Sequence, residues 1–381
     1  MAETKMWANS GDSHSLGERA VWEEILPKAV ADRLPRSERH DDDGYEIVHV
    51  DGRSFRRELP KLQVKKDPVH GKTIGELVME RGANDIESRL RDCDNEGIWG
   101  EIVYDSLGLW ETMITDKDLL KTANRAQNEW KVSEIVSRSN GRLVPTASIP
   151  LLDLDLAISE LQHAASIGLH AVSMPTGTPE GLPDYNRDDW DPLWSAAEEA
   201  GMVLAFHIGS DNDGNDNTKF RGPGGAVLNY VNTTFGGQFV ALKLVTGGAL
   251  DRHPNLKVLI SEGGAGWVPF IGDRMNEGYR QHSMFVRPVL SKLPKEILYR
   301  QVYTSFQHDV DAPSAMWACG YQNLMWGSDY PHLEGTFGHS QKTLHELFDG
   351  VSPEISNRIR LGAFKELFPV VGDPPDLPPS V

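Results

Sequence analysis

The sequence predicts an α/β protein, a (β/α)8 TIM barrel formed as one domain over residues 1–381 with an N-terminal insertion or lid at 36–72. Three observations lead there. Strand-like and helix-like segments alternate along the chain, and with one near the N-terminus there are eight strand candidates. Metal-ligating residue types stand at the carboxyl ends of four of those strands, with no equivalent cluster at the opposite ends. A doubly wound open sheet is the competing architecture, but its nucleotide fingerprints are missing: neither GxGxxG after the first strand nor GxxxxGK[ST] occurs.

Composition narrows the function classes. Apolar content of 39% and charged content of 25% are ordinary for a globular chain with a sizeable core. Lys plus Arg total 38 against 56 Asp plus Glu, a net charge of −18. Such a surface repels phosphate backbones and anionic lipid, so neither nucleic acid nor membrane is an expected partner. The two cysteines, Cys93 and Cys319, are far apart and form no CxxC pair, which argues against a disulfide scaffold or a thiolate zinc site. Residues 1–20 carry no apolar signal core, and no run approaches the length of a membrane span. A cytoplasmic protein is the expectation.

The elements follow in order. Residues 6–14 form a weak first strand ending in Asp12-x-His14, and 21–34 carry helical apolar spacing. The charged stretch 36–72 contains a candidate hairpin, 45–50 turning at Asp51-Gly52. Helix is expected over 85–95, 117–140, 154–167 (capped by Asp153), 190–200, 235–250 and 267–282. Strands are expected at 97–104, 142–149, 169–174, 202–207, 256–262, 301–306 and 323–329. A polar loop fills 209–225, three helices close the chain at 339–349, 353–360 and 362–368, and the proline-rich 373–381 reads as a flexible tail. The turn Gly263-Gly264-Ala265-Gly266 lacks a phosphate-loop lysine and reads as a close backbone approach.

The chemistry sits at the strand ends: Asp12 and His14 after the first strand, His207 after the fifth, Glu262 after the sixth and Asp329 after the eighth. In a strand, residues i and i+2 share a face, so Asp12 and His14 can enter the barrel mouth together. Imidazoles and carboxylates converging there suit one divalent ion of the Zn or Mn class with positions left for water. Such an ion lowers the pKa of bound water from about 16 to about 7. Taken singly, each residue has a plainer reading. Asp329 can cap, His207 can be a satisfied core histidine, Asp12-x-His14 can be a polar turn, and Glu262 can pair with an arginine such as Arg274. Their conjunction favours a metal centre. His308, His332, His339 and His345 read as surface or supporting residues, and the ten tryptophans as core or pocket wall.

The same segments resemble the amidohydrolase-related family that includes aminocarboxymuconate-semialdehyde decarboxylase and the γ-resorcylate-type decarboxylases, over almost the whole chain. Asp12-Ser13-His14 is similar to the family's first-strand motif. Trp190-Asp191-Pro192-Leu193-Trp194 followed by Phe206-His207-Ile208-Gly209 resembles its strand-five block. Arg252-His253-Pro254-Asn255-Leu256-Lys257 leads into strand six, and Trp326-Gly327-Ser328-Asp329-Tyr330-Pro331-His332 resembles the strand-eight block. The resemblance implies Asp12, His14, His207 and Asp329 as metal ligands. Together with the supply of tryptophans, it also implies a homodimer. One departure stands out: family decarboxylases place a histidine at the end of strand six, often with a glutamate three residues on, whereas here the positions are Glu262 and Ala265.

Three functions compete. In a metal-dependent hydrolase of a small carbonyl compound, Asp329 takes the water proton and Glu262 assists the leaving group; the Glu262 departure puts this first. In a non-oxidative decarboxylase, Asp329 protonates the carbon that loses CO2. In a metal-stabilised binding protein, catalysis has been lost through Glu262. The substrate in either enzyme is a small molecule, with Arg53, Arg56, Arg57 and His332 as candidate binding residues.

Overall fold

The computed structural model describes residues 5–15, 18–59, 85–106, 111, 113–210, 219–332 and 334–375. The expected tail beyond 375, the lid residues 60–72 and loop residues 211–218 lie outside the described residues.

The first barrel strand is split into β1 (Ala8–Ser10) and β2 (His14–Ser15), both paired to the same neighbour. A separate antiparallel sheet follows: β3 (Arg36–His40), β4 (Tyr45–Val50) and β5 (Arg53–Glu58). Its β4–β5 turn is the expected one, with Asp51 (φ 46°) and Gly52 (φ 76°) both left-handed, as a tight hairpin requires. The sequence missed β3, whose burial pattern is almost wholly exposed and so lacks alternation.

The remaining strands are β6 (Ile98–Asp105), β7 (Leu143–Ala147), β8 (Ala171–Met174), β9 (Val203–His207), β10 (Val258–Ser261), β11 (Val302–Phe306) and β12 (Leu324–Trp326). They run β1-β6-β7-β8-β9-β10-β11-β12, all pairs parallel, with helices between them. Hydrogen bonds bring the last strand back to the first: Gly11 N–H to Trp326 O (2.8 Å), Asp329 N–H to Asp12 O (3.0 Å) and His14 N–H to Tyr330 O (2.7 Å). The result is a nearly closed eight-stranded (β/α)8 barrel. Glycine allows that approach. A Cβ on Gly11 would meet Met325 Sδ at 2.5 Å, and one on Gly327 would meet Asp12 Cβ at 3.0 Å.

Alternation decides what points inward. Val203 and Ala205 join Ile102, Tyr104, Ala171, Leu259 and Met325 inside the barrel. Leu204 and Phe206 face out onto the layer that holds Trp190, Trp194, Val240 and Leu244 of the helices. His207 is in phase with Val203 and Ala205, so it enters the mouth.

Several boundaries differ from expectation. Pro27 divides the expected helix over 21–34 into Glu18–Ile25 and Lys28–Ala31, since proline supplies no N–H to continue the ladder. The helix expected at 235–250 begins ten residues earlier and spans Gly225–Thr246. Its first turns expose Val227, Leu228, Tyr230 and Val231, so they carry no core-facing apolar period. Gly263 bears out the close-approach reading, since its Cβ would lie 2.8 Å from Ile260 Cγ2. Among the described residues, no helix is long and apolar enough to cross a membrane.

Candidate metal centre

The barrel mouth gathers the strand-end residues. Asp12 lies in the break between β1 and β2, His14 opens β2, His207 ends β9, Glu262 follows β10 and Asp329 follows β12. Ser10 stitches two of these segments together: its hydroxyl accepts from Ser328 N–H (2.8 Å) and donates to Asp12 O (2.6 Å). Glu262 and Asp329 share an unusual backbone, with φ of 59° and 53°. Left-handed conformations are strained for such residues and gather at functional sites. At Glu262 the turn breaks the strand alternation, in which Ser261 rather than Glu262 faces inward, and brings the carboxylate back towards His207.

The side chains meet at short range. His14 Nε2 is 3.4 Å from Asp329 Oδ1 and 3.8 Å from Asp12 Oδ1. His207 Nε2 is 3.4 Å from both Asp12 Oδ1 and Glu262 Oε2. These are too long for good N–H···O bonds and have the spacing of atoms that share one small cation. Both oxygens of Asp12, Oδ2 of Asp329, both ring nitrogens of His14 and Nε2 of His207 are buried with no hydrogen-bond partner, while Asp329 Oδ1 faces His332 Nδ1 at 2.8 Å. Buried acceptors without partners are costly, and a bound cation would satisfy an oxygen of each carboxylate and one nitrogen of each imidazole. The residues present therefore fit a divalent ion: Asp12, His14 and His207 form one group within ligand range and His14, Asp329 and His332 a second that shares His14, and Asp12, His14, His207 and Asp329 are the four proposed to hold it.

The protonation chemistry agrees. His207 Nδ1 lies 2.6 Å from Ile208 O, which fixes the proton there and leaves the Nε2 lone pair facing the cluster. Burial raises Asp12 against the pull of His207, and burial with repulsion from Asp329 raises Glu262 well above the usual carboxylate range. Burial and the neighbouring His332 charge lower His14 well below its ordinary value. Against the cost of burial, Asp12 holds His207 up to about 9 and Asp329 holds His332 up to about 10. Asp329 is itself lowered: burial would raise it, but the charge of His332 and the hydrogen bonds from His14 and His332 together outweigh that. Two added positive charges would favour the ionised carboxylates and neutral imidazoles, the forms in which these side chains act as ligands.

His332 is not remote. Its Nδ1 lies 2.8 Å from Asp329 Oδ1 and its ring stacks on His14 at 4.1 Å, which places it beside the cluster as a support for Asp329. Arg53 and Arg57 sit on β5, Arg57 held against Glu46 and Arg53 over the Phe55 ring, while Arg56 lies over Tyr45. These contacts lie within the small antiparallel sheet β3–β5. Glu262 has no pairing with Arg274, which is held instead by Glu277.

Two supporting residues escaped the sequence. Arg89, 2% exposed, donates to Glu101 Oε1 (2.5 Å), His14 O (2.7 Å) and Ser13 Oγ (2.8 Å), and so anchors the strand that carries His14. Its signal was an arginine on the apolar face of a helix, spaced with Ile86, Leu90 and Cys93. Tyr104 donates or accepts at Ser261 Oγ (2.7 Å), and its ring centroid is 5.1 Å from that of His207.

Several known proteins resemble this chain in sequence or fold. A 2-amino-3-carboxymuconate-6-semialdehyde decarboxylase from Dictyostelium discoideum is 24% identical over 208 residues, 52% of this chain. The match spans only 54% of that relative's length. Among solved structures, an amidohydrolase from Mycobacterium avium subsp. paratuberculosis superposes with a TM-score of 0.76 at 18% identity, covering 96% of this chain and 100% of that one. A 5-carboxyvanillate decarboxylase from Sphingomonas paucimobilis gives 0.66 at 18% identity over 95% and 99% of the two chains. A dihydroxybenzoic acid decarboxylase from Polaromonas sp. with bound manganese gives 0.59 at 15% identity over 96% and 97%. At these identities the structures establish the fold. The family model described as Amidohydrolase matches residues 105–363, from the end of β6 to beyond the last barrel strand, and the chain belongs to that family.

Proposed function

We propose that this protein is a divalent-metal-dependent, non-oxidative decarboxylase of a small hydroxylated carboxylic acid. The observation that carries this reading is a buried, unpartnered ligand set beside Glu262 and His332, in a chain similar to several named decarboxylases. It reverses the order drawn from Glu262 alone.

A divalent cation, manganese or zinc, held by Asp12, His14, His207 and Asp329 supplies Lewis-acid polarisation and charge neutralisation at the substrate's oxygens. The residues do the rest. Glu262, 12% exposed and 3.4 Å from His207, is the group that holds and delivers a proton, and His332 at 2.8 Å keeps Asp329 ionised. The bond from carbon to the carboxyl group breaks, its electron pair stays on carbon, CO2 leaves and the delivered proton forms the new C–H bond. A carboxyl group kept neutral by burial can donate this proton, so Glu262 can stand where family decarboxylases use histidine.

Hydrolysis through an activated water is the second reading, favoured by Glu262 itself. Manganese-loaded protein incubated with 5-carboxyvanillate and dihydroxybenzoates separates the two. Metal-dependent CO2 release, abolished by a chelator, is expected. Cleavage of amides or lactones with no CO2 from any acid would put hydrolysis first.

The protein is further proposed to work as a homodimer. No tryptophan is among the large apolar side chains exposed in the described residues; those side chains include Val227, Val231, Phe235 and Phe239, a stripe along the helix Gly225–Thr246 that a second copy would cover. Sedimentation as a monomer at micromolar concentration would remove this assignment.

A further inference from the structure

A cavity partly open to solvent lies at the carboxyl ends of β6 to β9, and the metal ligands are not among its lining residues. It adjoins them. Asp105, in its wall, pairs in register with Ser15, next to His14. Ser210, also in its wall, donates to the carbonyl of His207 (2.5 Å). Ser173 is in phase with Ala171, which faces the barrel interior. The remaining walls are apolar, from Leu120, Ile149, Leu151, Leu152, Pro175 and Pro179. Apolar walls with few polar anchors suit one edge of a small aromatic body.

One lining atom has no partner. Glu111 is 8% exposed, its Oε2 accepts from Asn124 Nδ2, and its Oε1 is buried with no hydrogen-bond partner. The nearby buried Lys131 cannot serve it, because its ammonium is already committed to Asp105, Thr146 O and Ser148 Oγ. Asp105 is thereby neutralised, and Glu111 is left as the unpartnered buried acceptor among the described lining residues. A single acceptor matches a group with a single donor. A hydroxyl fits, whereas an ammonium would carry unpaired N–H groups into an apolar pocket.

We propose that this cavity is the substrate subsite remote from the metal, and that Glu111 Oε1 accepts a hydrogen bond from a hydroxyl borne on the substrate's apolar ring. This rests on the decarboxylase reading for the identity of the acid. Glu111 thus selects hydroxylated aromatic acids over their alkylated or unsubstituted counterparts. Burial pushes its carboxyl up to about 7, so at pH 8 it is chiefly an acceptor.

The test is calorimetric binding at pH 8 to the manganese-loaded protein, with 3- and 4-hydroxybenzoate as probes beside 3- and 4-methoxybenzoate and benzoate. Hydrogen bonds to charged groups contribute about 1.5–3 kcal/mol, so one hydroxy acid should bind about 10- to 100-fold tighter than its methoxy analogue. In Glu111→Leu that ratio should fall to about one while benzoate still binds and metal content is unchanged. Glu111→Gln keeps the volume should the leucine variant fail to fold. Its oxygen would take the bond from Asn124 and its N–H groups would face the cavity, so the preference for hydroxyl over methoxy should vanish or invert. No preference in the wild type, no binding of any probe, or a ratio unchanged in the folded variants would overturn the assignment. A hydroxyl preference without CO2 release from any acid would sink the decarboxylase reading and leave the subsite standing. CO2 release with equal binding of hydroxy and methoxy acids would do the opposite.

Discussion

His207→Ala is expected to leave a folded protein that retains no divalent ion through purification and has no measurable turnover. His207 enters the cluster from the fifth barrel position, its Nδ1 fixed by Ile208 O and its Nε2 buried without a partner. Removing it takes away the one group that faces both Asp12 and Glu262 at 3.4 Å. Substitutions that merely disturb a ligand's outer partner cost about 10- to 100-fold in metal affinity, and loss of the ligand itself should exceed that. Elemental analysis beside circular dichroism makes the check. Full metal content with lost activity would assign His207 to proton chemistry and not to binding.

Glu262→Gln is expected to lower turnover by about 10²–10⁴-fold with metal content near wild type, the range that general acid–base groups contribute. Glutamine keeps the shape and the backbone bond from Glu262 N–H to Ser305 Oγ (2.9 Å) but cannot give up a proton. Loss of metal together with activity would make Glu262 a ligand. Near-normal turnover with reduced stability would make it structural. Glu262→His should fold, because histidine is among the side chains that tolerate the left-handed φ of 59° found there. It should retain decarboxylation, whereas a decarboxylase created only by this substitution would mean that the wild type catalyses something else.

Much of the barrel was legible because its strands are buried on both faces and bounded by turns, so 202–207 and 256–262 stood out as short apolar runs. The cluster was legible from strand ends: His207 and Asp329 follow apolar runs, His14 stands in an Asp-x-His pair, and His14 lies 3.4 Å from Asp329 across 315 positions of sequence. What escaped was whatever depends on phase or partner. Alternation alone would point Glu262 out of the barrel, and only its left-handed backbone returns it to His207. Arg89 looked like an interruption in an apolar helix face until Glu101 and the carbonyl of His14 were seen to satisfy its charge. His332 looked peripheral because nothing in Tyr330-Pro331-His332 announces that the chain doubles back onto Asp329 and stacks on His14. The arginines of β5 were charged and near a hairpin, but Arg57 is held by Glu46 in its own sheet. Glu111 carried no signal, since a lone glutamate outside any motif becomes informative only when its oxygen is found buried and unpartnered.

The most direct test of the account is product analysis in D2O. Manganese-loaded protein would be supplied with a dihydroxybenzoate and with 5-carboxyvanillate, and the products read by NMR alongside CO2 capture. The account predicts CO2 equal to the acid consumed and one deuteron on the carbon that carried the carboxyl group, both lost on chelation and strongly diminished in Glu262→Gln. Acids recovered intact, with amides or lactones cleaved by the same metal-loaded protein, would contradict it.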